Sequence, residues 1–375
     1  MKQLVNIARI LVGGLFIFSG LVKAIDPLGL AYKMQEFFEV WSNEGYLKGL
    51  MQLLNEHALL FSITMITLEV VLGVALLLGS KTRLVSWLLF LLTLFFTFLT
   101  SYVLFSGKIR ACGCFGDCIP LTPIQTFTKD IILLILVLLI LFGSKYINPL
   151  FANKVNAGIF LISLLGILGL QWYVLKHLPL KDCLPFKIGN NILELRKMPK
   201  DAVPDKFEYQ FVYKKNGVSK EFAVSALPDS TWEFVDRKQQ LIEKGRNNIP
   251  LINDFILKTA TDSDSTEAIL SRPGEYYLLF VKDLDAMSSG VEDQRIAMQL
   301  TANQKKIYIV ASDRKKAEAR YSNQATSASP VSTPVLTCDA TALKTAARNN
   351  VTLYRMNGPV VMAKWGGADI EKALK

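Results

Sequence analysis

Five apolar runs set the strongest limit on what this chain can fold into. They cover residues 5–24, 57–79, 84–105, 131–151 and 157–175. A helix needs about 20 apolar residues to cross roughly 30 Å of hydrocarbon. With no water there, each backbone polar group must be satisfied within its own segment, so each run reads as a spanning helix. All five precede Leu180, and a polar, globular texture follows. The first run holds Arg9 and lacks a small-x-small cleavage site, so it reads as a span and not a signal peptide. Residues 32–54 mix apolar side chains with Glu36, Glu39, Glu44 and Lys48, as short helices lying at the interface would.

Charge supports the same division. The 375 residues carry a net charge of +10, with a mean hydropathy of +0.31. Lys and Arg gather at the ends of the runs, where they meet lipid headgroups. No dense basic stripe interleaves with aromatics, so membrane lipid is an expected partner and nucleic acid is not. With the N-terminus inside, cytoplasmic segments hold Lys2, Lys81, Arg83, Lys145 and Lys154 and no acid. The other side holds Lys33, Lys48, Lys108 and Arg110 together with Asp26, Glu36, Glu39, Glu44 and Glu56. That orientation places every cysteine outside the cytoplasm, where disulfides persist. The expectation is a bacterial inner-membrane protein with a cytoplasmic N-terminus and a periplasmic C-terminal domain.

Arg9, Lys23 and Glu69 are ionisable residues carried by the first two spans. A charge at mid-bilayer costs about 2.5–3.5 kcal/mol on insertion scales, so it rarely faces lipid. Glu69 is expected either to act as a proton-relay group or to pair with Arg9 and lock the first two spans together. Lys23, near the boundary, is expected to snorkel to the headgroups.

Cys112, Cys114 and Cys118 crowd into one loop. Gly113 and Gly116 give it conformational freedom, and Lys108 and Arg110 would favour a thiolate. Three readings stay open: a structural disulfide, a redox-active thiol set, or a metal site that lacks a fourth ligand. No metal or cofactor is expected. Cys183 follows the fifth run on the same side, so a bridge from it to the loop would tether that helix to the others. Cys338 reads as a buried apolar thiol.

Beyond residue 185 the pattern is strand and turn. Residues 208–213 and 221–224 flank Asn216-Gly217, a hairpin signal. Residues 274–281 and 306–311 read as buried strands, with helical stretches at 292–303, 315–323 and 340–349. A hairpin at 351–354 and 360–365 and a closing helix at 368–374 complete the series.

Three segments carry a family resemblance: Arg9 through Ser19-Gly20 to Lys23 and Asp26-Pro27; Glu69 with the run to Gly79; and Cys112-Gly113-Cys114-Phe115-Gly116. Together they resemble the DoxX/MauE group of four-helix bacterial membrane proteins over roughly residues 1–145. MauE is the member implicated in methylamine-dehydrogenase maturation, beside thioredoxin-like partners that handle disulfides. Residues 265–375 resemble a thioredoxin-like fold without its dithiol, since Ala286-Met287-Ser288-Ser289 stand where the paired cysteines would be. The fused layout resembles DoxX-family proteins of the Bacteroidetes lineage.

The fold class is an α-helical membrane bundle followed by an α/β domain. The division is a DoxX/MauE-like four-helix domain at 1–150, a fifth span and juxtamembrane segment at 151–184, a small β-rich region at 185–264 and the thioredoxin-like domain at 265–375. The implied function is a redox or maturation component that handles thiols of an exported protein, with Cys112, Cys114 and Cys118 as candidate redox thiols and Cys183 as a possible disulfide partner. The alternative is a non-catalytic membrane scaffold whose outer domain binds an extracytoplasmic partner.

Overall fold

The computed structural model describes residues 1–109, 113, 115–243, 245–285, 291–322 and 333–375, with only the backbone described at 291, 292 and 322. The membrane half is a helical bundle. Helix α1 (Lys2–Ala24) leads to α2 (Pro27–Asn43) and α3 (Lys48–Glu56), and then to α4 (Ala58–Leu78), α5 (Thr82–Ser106), α6 (Pro123–Phe142) and α7 (Asn153–Lys176). The helices α1, α4, α5, α6 and α7 are long and apolar enough to cross a membrane. The shorter α2 and α3 cover the segment expected to lie at the interface, and α2 buries Leu30, Met34, Phe37 and Phe38 in the bundle.

Caps fix where the helices start. Asp26 caps α2 by accepting from the Gly29 backbone N–H, with Pro27 at the first helical position. Thr122 and Gln125 form a reciprocal capping box at α6, again with proline next. The sequence expectation put this span at 131–151. The cap starts it eight residues earlier, and Gly143 follows its last residue.

Small residues bring α1 and α4 together. The backbones meet where Gly13 faces Gly73, and a Cβ at Gly73 would lie 2.9 Å from the Gly13 carbonyl oxygen. Helix association in lipid relies on such close packing, because lipid tails are as apolar as the side chains.

The C-terminal half, an outer domain in the sense that it lies beyond the helical bundle, begins with α8 (Ile192–Leu195) and a three-stranded antiparallel sheet of β1 (Lys206–Lys215), β2 (Val218–Ala223) and β3 (Glu233–Glu243), in the order β2-β1-β3. Asn216 and Gly217 both have positive φ, 51° and 85°, which suits a tight two-residue hairpin turn. After α9 (Thr266–Leu270) comes the α/β domain proper. Its elements are β4 (Glu275–Val281), α10 (Val291–Ala302), β5 (Ile307–Ala311), α11 (Arg314–Ser322), β6 (Val335–Thr337), α12 (Ala340–Ala346), β7 (Val351–Asn357) and β8 (Val360–Gly366). A 3-10 segment, Gly367–Leu374, follows.

The strand order is β6-β5-β4-β7-β8. Neighbours β4, β5 and β6 run parallel, whereas β4–β7 and β7–β8 are antiparallel. Central strand β4 is buried from Tyr276 to Val281, which explains its continuous apolar text. Tyr276, Leu278 and Phe280 face a core that also takes in Phe186, Ile192, Ile252 and Phe255 from the preceding region. Tyr277, Leu279 and Val281 face Ile296, Ile309 and Ile370 on the other side.

The α1–α4 contact predicts an asymmetry between two glycines. Gly73→Val should lower the melting temperature of the detergent-solubilised protein, by an overpacking cost of about 1–3 kcal/mol. Gly14→Val, with nothing within 4 Å of the added Cβ, should leave it nearly unchanged. Equal melting of the two variants would contradict the crossing.

Candidate functional site

The outer domain sits on one end of the bundle, and the contact is built from charges. Arg348, just before β7, is the centre. Its Nε donates to Asp26 Oδ2 at 2.7 Å and its Nη2 to Asp117 Oδ2 at 2.9 Å. Asp26 is the cap of α2, and Asp117 lies in the cysteine loop. Next to Arg348, the Asn349 amide donates to the His177 carbonyl at the end of α7. Lys282, directly after β4, donates to the Tyr32 hydroxyl at 2.8 Å and to the Arg348 carbonyl at 3.0 Å. Lys364 on β8 pairs with Asp182 at 2.6 Å, and His177 Nδ1 meets Asp369 Oδ2 at 2.6 Å. Gly367 has a φ of 48° and sits against the Lys176 carbonyl, where a side chain would collide.

Three cations surround one ring. Lys282, Lys344 and Arg348 lie 5.5, 5.3 and 5.5 Å from the Tyr32 ring centroid. Burial pushes the Lys282 ammonium down to about 7, helped by the nearby Arg348 charge and opposed by Asp26. Burial pushes the Tyr32 hydroxyl up to about 12. For Arg348 burial works against the charge, but Asp26 and Asp117 outweigh it and the net direction is upward. Lys364 behaves in the same way, with Tyr354 and Asp182 outweighing burial.

The described end of the cysteine loop, Asp117 and Cys118, lies at this junction. Cys118 is joined to Cys183 by a disulfide, with Cα atoms 4.9 Å apart. Cys112, Cys114 and Arg110 lie outside the described residues, as do Ala286, Met287, Ser288 and Ser289. Gly113, between the two undescribed cysteines, has a φ of 70°, and its Cα faces the side chain of Lys33 on α2. Phe115 packs on Phe18, and Lys129 Nζ lies 5.0 Å from the Phe115 ring centroid. Lys108, expected to favour a thiolate, is bonded to Glu44. A cavity of about 20 Å³ is lined by Val22, Asp26, Asp117, Cys118, Asp182 and Cys183, room for one water. Cys338 is a buried free thiol, pushed up to about 12 by burial, so it is inert at neutral pH.

Within the bundle the expected Arg9–Glu69 pair does not form. Glu69 pairs with Lys23, and both are 2% exposed, so Lys23 does not snorkel. Arg9 donates to the Leu76 and Leu77 carbonyls at the far end of α4. The reason is register. Arg9 and Lys23 are fourteen residues apart on α1, about 21 Å at 1.5 Å per residue. The crossing of Gly13 over Gly73 and of Gly20 over Val70 brings Lys23, not Arg9, level with Glu69. Lys23 also lies 4.4 Å from the Phe96 ring centroid. The junction residues Asp26, Tyr32, Asp117, Lys282, Arg348 and Lys364 were not singled out as site residues from sequence. The only local signal was Asp26-Pro27, which reads equally as a helix start.

Comparison with known proteins places these observations. Residues 1–143 match the family described as Methylamine utilisation protein MauE, and this stretch is a MauE family domain. Residues 207–244, which hold most of the three-stranded sheet, match a Domain of unknown function (DUF8463). Protein TlpB of Flavobacterium psychrophilum is 33% identical over 162 residues, 42% of each chain. The match thus spans less than half the length of that curated relative. No solved structure matches.

Two outcomes follow. Removing either Lys23 or Glu69 leaves a buried charge unpaired, at about 3–5 kcal/mol. Lys23→Met and Glu69→Leu should therefore each lower the melting temperature, and the double variant should lose less than the sum. Arg9→Met combined with Glu69→Leu should be additive, and non-additivity there would restore the pairing expected from sequence. The second outcome concerns pH. Freed from the junction, Lys282 has an ordinary value near 10.4, against about 7 when docked. Between these limits the undocked state binds the extra proton, so docking strengthens as pH rises from about 7 towards about 10. Amide protection at residues 344–352 should rise over that range and flatten in Lys282→Met. Protection independent of pH in the parent chain would contradict the buried placement of Lys282.

Proposed function

We propose that this chain handles thiols or disulfides of exported proteins at the bacterial inner membrane, using the Cys112–Cys118 loop, with the N-terminus cytoplasmic and the α/β domain periplasmic. The observation that carries the proposal is the placement of the loop. Gly113 lies against Lys33, Asp117 is gripped by Arg348, and Cys118 is bridged to Cys183, so the loop is held where the bundle meets the outer domain. Cations close to a thiol favour the nucleophilic thiolate. In this reading Cys112 and Cys114 do the exchange, and the Cys118–Cys183 bridge seats them. The MauE family domain supports a maturation role for the membrane half.

The outer domain is read as thioredoxin-like. Strands β5-β4-β7-β8, with β4 and β5 parallel and a β7–β8 hairpin, support that reading. In such a fold a dithiol follows the strand equivalent to β4; here the described residues at that end of the sheet, Lys282 after β4 and Arg348-Asn349 before β7, contact the bundle. The domain's role is then to cover the loop and admit a partner. One observation favours a scaffold instead: Cys118, the third loop cysteine, is already committed to Cys183.

Trapping of free thiols with an alkylating mass tag separates the two. In the full chain in native membranes, Cys112 and Cys114 should cycle under mild glutathione buffers. A structural bridge lies below about −300 mV and stays closed. Cys112→Ser and Cys114→Ser should each slow disulfide exchange with a reduced, unfolded exported protein by roughly tenfold or more. Unchanged exchange in both variants would leave the scaffold reading standing. A periplasm-only reporter fused after Lys375 should be active, and activity of a cytoplasm-only reporter would reverse the orientation.

A further inference from the structure

Each bridged cysteine is preceded by an aspartate, and each aspartate holds a cation of the outer domain. Asp117 precedes Cys118 in the bundle's loop, and Asp182 precedes Cys183 in the segment that leaves α7. Asp117 pairs with Arg348 at 2.9 Å and Asp182 with Lys364 at 2.6 Å. The two cation side chains are 8% and 6% exposed. Both belong to one hairpin unit: Arg348 enters β7, and Lys364 on β8 is the register partner of Tyr354 on β7.

We propose that the Cys118–Cys183 disulfide is a redox latch, which joins Asp117 and Asp182 into one clamp for the outer domain and whose reduction releases that domain from the cysteine loop. The two aspartates come from segments 65 residues apart in sequence, and the disulfide is the covalent link between them. A rigid hairpin can hold both only while their spacing is fixed. When the bridge opens, Asp182 stays with the outer domain's own connecting segment and with Lys364. Arg348 then keeps Asp26, while its second carboxylate, Asp117, is no longer tied to Asp182. Beside it remain the contact of Lys282 with the neutral Tyr32 hydroxyl and the Asn349 and His177 contacts at the end of α7. A buried cation that loses its carboxylate is strongly destabilised, so it moves to water.

Both cysteines are half-buried and not sealed in the core, so a thiolate can approach the bridge from solvent. The reductant is a dithiol. One of its thiolates attacks a bridge sulfur, the Cys118–Cys183 bond breaks, and a mixed disulfide forms. Its second thiol then closes its own disulfide and releases the remaining cysteine. Two electrons and two protons pass from the dithiol to Cys118 and Cys183. The latch does not require Cys112 or Cys114 to react, and so goes beyond the proposed exchange.

The test uses the full chain in nanodiscs, with Cys112→Ser, Cys114→Ser and Cys338→Ser so that a single bridge remains. Hydrogen exchange is followed with and without dithiothreitol. Reduction should speed exchange over residues 344–352 by roughly tenfold or more, while residues 307–311 of the sheet stay protected. Asp117→Asn with Asp182→Asn, bridge intact, should produce the same exposure without reductant. Acceleration confined to residues 115–120 and 180–184 would overturn the latch and leave a local staple. Loss of protection throughout the sheet would also overturn it, because the bridge would then be holding the fold. If dithiothreitol opens residues 344–352 here, the latch stands even where loop exchange by Cys112 and Cys114 has failed its own assay.

Discussion

Among the contacts that tie the two halves of this protein together, the Arg348 guanidinium grips two carboxylates of the bundle at once. Its side chain is 8% exposed, and a charge so far from water must be paired. The planar fork of arginine can address two carboxylates at once, which a lysine ammonium does less well. Asp26 supplies one and Asp117 the other. Because Asp26 also caps α2, the start of that helix, the cysteine loop and the entry to β7 are fixed relative to one another. The bundle and the outer domain therefore meet through buried ion pairs and hydrogen bonds. Its neighbours follow from the same constraint: Lys282 is pushed towards neutrality by burial beside this charge, and Tyr32 offers its ring to three cations.

That arrangement bears on the proposed role of the cysteines. A thiol loop left at the end of a membrane bundle would be open to any oxidant or thiol. Here a folded domain holds Asp117, beside Cys118, and Asp182, beside Cys183. Under the proposed latch, access to the loop depends on docking, and docking on charge and on the Cys118–Cys183 bond. The buried Lys23–Glu69 pair lies deeper in the bundle, beside a cavity that Lys129 also lines, and Lys129 in turn sits at Phe115 of the loop.

Much of this fold could be read from the chain, and the reasons differ by element. The spans were legible because hydrocarbon demands about 20 apolar residues in a row. Strand β4 and the β7–β8 hairpin were legible because burial on two faces and Asn357-Gly358 leave strong marks. The α6 start was missed because a polar first turn, Thr122 to Thr128, hides a helix that its cap begins. The partner of Glu69 was misread because a sequence shows which charges exist but not the register at which two helices cross. Arg348 and Lys364 went unnoticed for a related reason: in a polar stretch a lone basic residue looks like solvated surface, and only the fold shows it facing an aspartate more than 180 positions away.

The central claim is that the outer domain rests on the cysteine-loop end of the bundle, held by ion pairs to the loop and to the segment leaving α7. Zero-length carbodiimide coupling of the full chain in native membranes tests it most directly, because it makes an amide only where an ammonium touches a carboxylate. Peptide mapping should recover Lys364 joined to Asp182, along with Lys316 joined to Asp285 as an intradomain control. Recovery of the control pair with no amide between residues 265–375 and residues 1–184 would contradict the docked arrangement.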